Sequence, residues 1–303
     1  MRPKGLIRRL LTGCLLLLLS GCTFGATVDA LLTPPHLRGE QEQIYQALEN
    51  AVGNRITLQY PRSGDHLSAV MISDLDGDGQ DEAAVFYRKE SSLSTENALR
   101  LNLLDQADGT WMSVCDLPAE GAEVDRGFTA DIGGRQRLII GYSQVDQSDK
   151  ALVVYNYEGG TLAKSFTVSY SSFDVADLDG DDQSELLILK AAEGEHAAEA
   201  AVYVSDEQDH YTRYSLTLQG KTTEYSQVLC GNTQGKQTAI YLDGIVGATT
   251  MQTEVLQFDG KKLSYLVPTG SDAVSTIRPI GWLTMDIDQD DIPEIPVQGL
   301  FPG

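Results

Sequence analysis

Basic residues are the scarce class in this sequence: Lys and Arg total 22 against 44 Asp and Glu, a formal net charge of −22. Two acids for every base leave no basic stripe for a phosphate backbone, which excludes nucleic acid or anionic lipid as the main partner. Cysteine is sparse as well, and four in 303 residues exclude a disulfide-built scaffold. The four histidines (His36, His66, His196 and His210) are scattered through polar segments and read as solvated side chains. Neither H-E-x-x-H nor G-x-S-x-G occurs, so neither zincin nor nucleophile-elbow chemistry is indicated. What remains is 42% hydrophobic and 22% charged, the composition of a folded, cored protein.

The one strongly apolar run lies at the start. Arg2, Lys4, Arg8 and Arg9 precede LLTGCLLLLL, which is too short to anchor in a bilayer, and the segment ends Leu19-Ser20-Gly21-Cys22. That order is an export signal, and a Cys at the cut resembles the lipobox of bacterial lipoproteins. The resemblance implies removal of a signal peptide, 1–22, with acylation of Cys22 and an extracytoplasmic location in the cell envelope. The only contact with the membrane would be this lipid. Loss of the leader takes four bases and no acid, leaving 18 bases against 44 acids and a formal charge of −26. Residues 23–54 read as a tether, with Pro34-Pro35 barring helix, followed by one short amphipathic helix over 38–52 that presents Ile44, Leu48 and Val52 to a larger body.

Residues 55–303 change character. Short β-branched or aromatic runs such as SAVMI, EAAVFY, RLIIGY, ALVVYNY and ELLILK alternate with Gly, Asn, Asp and Ser turns, which predicts an all-β region. Three nine-residue segments stand apart. They are Asp74-Leu-Asp-Gly-Asp-Gly-Gln-Asp-Glu82, Asp177-Leu-Asp-Gly-Asp-Asp-Gln-Ser-Glu185 and Asp286-Ile-Asp-Gln-Asp-Asp-Ile-Pro-Glu294. Each has Asp at positions 1, 3 and 5 and Glu at position 9. Carboxylates on alternate residues of a tight loop converge, and a hard divalent cation makes their repulsion tolerable. Calcium takes six to eight oxygens in flexible geometry and suits this donor set better than magnesium. The candidate ligands are Asp74, Asp76, Asp78 and Glu82, then Asp177, Asp179, Asp181 and Glu185, then Asp286, Asp288, Asp290 and Glu294. The backbone carbonyls of Gln80, Gln183 and Ile292 complete the three sets.

An EF-hand would need Glu at position 12, and Val85, Ile188 and Val297 stand there instead. The Asp-x-Asp-x-Asp-Gly-x-x-Asp/Glu form between two strands resembles the FG-GAP/VCBS repeats of integrin-α-type β-propellers. The resemblance implies four-stranded blades, commonly seven in the family, with structural calcium in the loops and a protein or glycan partner on the propeller face. Asp182 and Asp291 depart from the Gly expected at position 6, where a positive φ is expected, and Gln289 departs at position 4.

The spacing of Glu82, Glu185 and Glu294 is 103 and 109 residues, about twice a blade of roughly 40–50 residues. Degenerate copies lie midway, FTADIGGRQRLIIGY at 128–142 and CGNTQGKQT at 230–238, with Arg137 and Thr238 in the ninth position. About five repeats are visible, separated by 55, 48, 53 and 56 residues, and the even ones are stripped of acidic ligands. Only IPVQGLFPG follows Glu294, so the last blade is expected to be incomplete, with ITLQY (56–60) available to close it.

Nothing else in the chain reads as a catalytic constellation, so no enzymatic activity is expected. The principal expectation is a lipid-anchored calcium-binding surface module. Its alternatives are a surface enzyme acting on a cell-wall or glycan polymer and a purely structural surface lipoprotein. Cys115 and Cys230 either pair or stay as partly buried thiols. Trp111, Tyr142, Tyr155, Tyr157, Tyr170 and Tyr211 serve either as sheet packing or as a carbohydrate platform.

Overall fold

The computed structural model describes residues 39–89, 98–144, 150–233, 238–266 and 275–297. The expectations for the leader, Cys22 and the tether before residue 39 lie outside the described residues. By its contacts the chain divides into Met1–Glu42 and Gln43–Gly303. Of the first unit only residues 39–42 are described, and helix α1 (Glu40–Val52) begins there. No helix among the described residues is long and apolar enough to cross a membrane.

After α1 the described residues of the second unit are all-β, in four successive antiparallel sheets that each follow a four-strand path. Sheet 1 contains β1 (Ile56–Leu58), β2 (Val70–Ser73), β3 (Glu82–Lys89), β4 (Leu99–Ala107) and β5 (Thr110–Pro118), with β1 and β2 sharing one edge of β3. Sheet 2 is β6 (Glu123–Asp131), β7 (Gln136–Ser143), β8 (Lys150–Glu158) and β9 (Thr161–Tyr170). Sheet 3 is β10 (Ser172–Ala176), β11 (Glu185–Lys190), β12 (Glu199–Ser205) and β13 (Tyr211–Thr217). Sheet 4 is β14 (Glu224–Asn232), β15 (Thr238–Ile245), β16 (Thr250–Phe258) and β17 (Leu263–Tyr265), with the two-residue β18 (Arg278–Pro279) also on β16. This is the strand, loop, strand and hairpin of the sequence repeat, realised four times.

The second strand of each sheet is buried on both faces, which is why β3, β7, β11 and β15 read as continuous apolar runs. Phe86, Leu101 and Leu103 of sheet 1 pack on Leu138, Ile140 and Val153 of sheet 2. Ile139, Leu152 and Val154 use the other face of sheet 2 against Phe173, Leu186 and Ile188 of sheet 3. Leu187, Leu189 and Val202 then meet Ile240, Leu242 and Leu256 of sheet 4. The far face of sheet 1 is covered by α1, whose Ile44 and Leu48 are completely buried against Val85, Tyr87, Leu104 and Trp111. At about 1.5–3 kcal/mol for each fully buried large apolar side chain, these contacts are the main stabilising term.

Two expectations change, and one alternative left open is decided. ITLQY does not close the last repeat: Ile56–Leu58 pair with Tyr87–Lys89 inside sheet 1. The third acidic segment, in the fifth repeat, forms no sheet among the described residues and is joined by one bridge, Met285 to Glu294. Cys115 and Cys230 are free thiols, Cys115 in sheet 1 and Cys230 in sheet 4. The aromatics are packing residues: Trp111, Tyr142, Tyr155, Tyr157 and Tyr170 are buried, and Tyr211 stacks on Phe166 at 4.2 Å between centroids.

Candidate metal centre

The first acidic segment joins β2 to β3 in sheet 1 and the second joins β10 to β11 in sheet 3, while the third joins the two residues of the isolated bridge. All three close on the same hydrogen-bond skeleton. The Asp at position 1 accepts the position-4 N–H at 2.7 Å in each loop, at Gly77, Gly180 and Gln289. Its other oxygen accepts the position-6 N–H at 3.0–3.1 Å, from Gly79, Asp182 and Asp291. The position-5 side chains, Asp78, Asp181 and Asp290, accept the N–H of Gln80, Gln183 and Ile292 at 2.8–3.0 Å. The position-9 Glu reaches back to the N–H of position 2: Glu82 to Leu75, Glu185 to Leu178 and Glu294 to Ile287, at 2.7–2.8 Å. Positions 4 and 6 have positive φ in every loop, including the non-glycine Asp182 (67°), Gln289 (64°) and Asp291 (66°).

This skeleton gathers the acids. One oxygen each from Asp74, Asp76 and Asp78 lies within 4.8 Å of the others, as do those of Asp286, Asp288 and Asp290. In sheet 3 the group is Asp177, Asp179 and Glu185, with Asp181 outside it. At that separation two unit charges repel by about 1 to 3.5 kcal/mol for an effective dielectric of ~80 to ~20. The loops can therefore hold a metal ion. Two atoms bear on the fit: Glu82 Oε1 and Asp179 Oδ1 are buried and have no hydrogen-bond partner. A buried carboxylate oxygen with no donor is costly unless a cation supplies the missing interaction.

The charge state carries the same strain. Burial pushes the Glu82 carboxyl up to about 7 against the opposing Leu75 N–H bond, with the charges of Asp76, Asp105 and Asp74 adding to the rise. Glu185 is also raised to about 7, by burial first and by Asp179, Asp181 and Asp177 in addition. Burial raises Asp76 and Asp179 above the usual carboxylate range, while Asp288 is raised first by the adjacent Asp290 charge.

The surroundings add residues that the loop pattern does not contain. Asp105 of β4 lies beside the first loop and accepts the Tyr157 hydroxyl of sheet 2 at 2.9 Å. A 370 Å³ cleft joins Asp76 and Gly77 to Asp131, Arg135, Asn156 and Glu158 of sheet 2. A larger cleft of 590 Å³ is lined by Asp177, Asp286 and Asp291 with Gln227, Cys230 and Thr284, so the second and third loops share one cavity. The available signal was the Asp that recurs in the polar turns between later strands, as in DQADG (105–109) and DEQDH (206–210).

No family model matches the chain, and no curated protein matches it. Among solved structures the chain is similar to an exotype rhamnogalacturonan lyase at 14% identity and a TM-score of 0.35, over 71% of this chain and 57% of that one. It is similar to a rhamnogalacturonan lyase of Bacillus licheniformis at 15% identity and a TM-score of 0.35, over 71% and 49%. It therefore spans about half the length of these two lyases. The expectation that the protein is not an enzyme is corrected here: these similar structures are glycan-cleaving enzymes, and a non-enzymatic character is not carried forward. Similarity at this level transfers neither their activity nor their substrate to this chain.

Proposed function

We propose that the protein is a calcium-binding repeat protein of the FG-GAP/VCBS type. It is held outside the cytoplasmic membrane by a lipid on Cys22 and serves as a binding surface for a glycan or protein of the envelope. The observation that carries the calcium reading is Glu82 Oε1, buried without a donor beside a loop whose three aspartates converge. Asp74, Asp76, Asp78 and Glu82 are the first ligand set; the other two loops repeat it by position, with the Gln80, Gln183 and Ile292 carbonyls completing each. Calcium supplies positive charge there and binds only the folded loops, so it stabilises the fold by linkage. Thermal unfolding of the purified protein in millimolar calcium, in millimolar magnesium and in excess chelator tests this. A rise of several degrees with calcium and a smaller one with magnesium is expected; no shift with calcium overturns the reading. The binding role is tested on an array of envelope polysaccharides with calcium present, where capture lost on chelation is the expected result.

A second reading, an enzyme acting on a glycan, is favoured by the carboxylates of Asp177, Asp286 and Asp291 along the 590 Å³ cleft. Release of new reducing ends or unsaturated products from acidic polysaccharides decides between the two.

A further inference from the structure

Strand register identifies one residue that sits where the first and third sheets carry their metal-loop glutamate. Ser73 pairs with Glu82 across β2 and β3, and Ala176 pairs with Glu185 across β10 and β11. In both cases the first partner immediately precedes the Asp at position 1. In sheet 2 the residue before Asp131 is Ala130, and its partner is Arg137. The position is equally buried in all three: Glu82 is 1% exposed, Glu185 2% and Arg137 1%. The buried charge has changed sign, and the loop has become two residues shorter.

Arg137 has a partner of its own. Its guanidinium pairs with Asp209, in the turn between β12 and β13 of the next sheet. Asn156 Nδ2 donates to the other Asp209 oxygen at 2.5 Å. The same turn closes on the loop backbone, where a Cβ added to Gly133 would lie 2.7 Å from the Asp206 carbonyl oxygen. Ser184 N–H donates to the Asp131 carbonyl at 2.9 Å, joining the second loop to the acidic loop of sheet 3.

The acidic loops face the equivalent turn of the following sheet. Asp76 and Gly77 share the 370 Å³ cleft with Asn156, Tyr157 and Glu158, at the start of the β8–β9 turn. Asp179 faces the β16–β17 turn so closely that a Cβ on Gly260 would lie 2.7 Å from its Oδ2. Three successive sheet junctions thus have one architecture, with a loop against a turn. Two of them gather converging carboxylates, and the middle one has the Arg137 guanidinium on Asp209, although Arg135 and Arg137 also line the cleft beside Asp76.

We propose that Arg137 is a built-in cation that does for the junction between sheets 2 and 3 what calcium does for the junctions 1–2 and 3–4, so that calcium controls the outer two junctions and not the middle one. This rests on the calcium reading of the loops given above. Hydrogen exchange of the purified protein, followed by peptide mass spectrometry in calcium and in excess chelator, tests it. Chelation is expected to speed exchange at least tenfold in 74–82 and 156–161, and in 177–185 and 259–262, with 131–137 and 206–210 unchanged. R137Q is expected to release 131–137 and 206–210 at least tenfold with calcium present, and R137K to restore part of the protection. D209N serves if R137Q does not fold, and should release the same two segments.

Opening of 131–137 on chelation as far as 74–82 overturns the proposal, as does unchanged protection of 206–210 in R137Q or D209N. Calorimetry on the same protein separates the two ideas. If calcium binds and chelation changes exchange nowhere, this proposal fails while the calcium reading stands. If no calcium binds at all, both fall.

Discussion

Asp243 and Arg278 form an ion pair at 2.9 Å with side chains 1% and 0% exposed. The carboxylate also accepts the Thr284 N–H at 2.6 Å and the hydroxyls of Thr284 and Thr253 at 2.8 and 2.6 Å. Arg278 in turn donates to Thr253 Oγ1 at 2.7 Å and to the Thr276 carbonyl at 3.0 Å. This satisfied network fastens the segment that carries the third acidic loop to sheet 4. Removing one partner leaves a buried guanidinium and an orphaned N–H, so D243A should cost about 3–5 kcal/mol in chemical denaturation. A loss under 1 kcal/mol would mean the network is dispensable.

Glu82 and Glu185 set the pH response of the calcium-free protein. Their ordinary value near 4.5 rises to about 7 on folding, so between those limits the folded chain holds protons that the unfolded chain has lost. Their contribution is fully present below about 4.5 and is lost as pH rises through 7. In chelator, unfolding free energy should fall from pH 5 to pH 7.5 by about 1–3 kcal/mol per group. A denaturation series that is flat or rises over this window contradicts the assignment. Calcium reverses the slope, because the ion requires the carboxylate form.

E82Q separates the two roles of that side chain. The amide oxygen keeps the Leu75 N–H bond while the charge is removed, which relieves repulsion in the free protein. Stability in chelator should rise by about 1 kcal/mol, and calcium affinity at that site should fall at least tenfold. Calorimetry and unfolding on one preparation measure both. An affinity within twofold of the parent removes Glu82 from the ligand set.

Asp182 and Asp291 occupy position 6 at φ of 67° and 66°, where the first loop has Gly79 at 86°. Their part in the loop there is the backbone N–H to the position-1 Asp, which glycine preserves. D182G and D291G should each stabilise by about 0.5–1 kcal/mol, from relief of the left-handed backbone and of one nearby charge. The reverse change, G79D, should destabilise by a similar amount. Equal midpoints for all three variants would mean that the backbone there is unstrained.

Much was legible in the sequence because it is local. Ile44 and Leu48 share a helix face whatever they pack on, and both are fully buried. Alternate aspartates with a glutamate at position 9 close one loop skeleton three times, since each bond in it spans at most seven residues. The doubly buried second strands announced themselves as unbroken apolar runs. Less legible was the last acidic segment: Trp282-Leu-Thr-Met-Asp286 has the pattern of a first strand but among the described residues gains a single bridge.

The sequence by itself determined the elements, the repeat and the acidic loops, because short-range periodicity and turn chemistry act within one segment. Only the tertiary structure decided which charges meet. Arg137 and Asp209 are 72 residues apart, Tyr157 and Asp105 52, and Asp243 and Arg278 35. Each pair belongs to different strands or sheets, brought together by stacking and strand register. Register also turned Arg137 from an irregular ninth residue into the counterpart of Glu82, since a buried charge takes its meaning from what the next sheet sets against it.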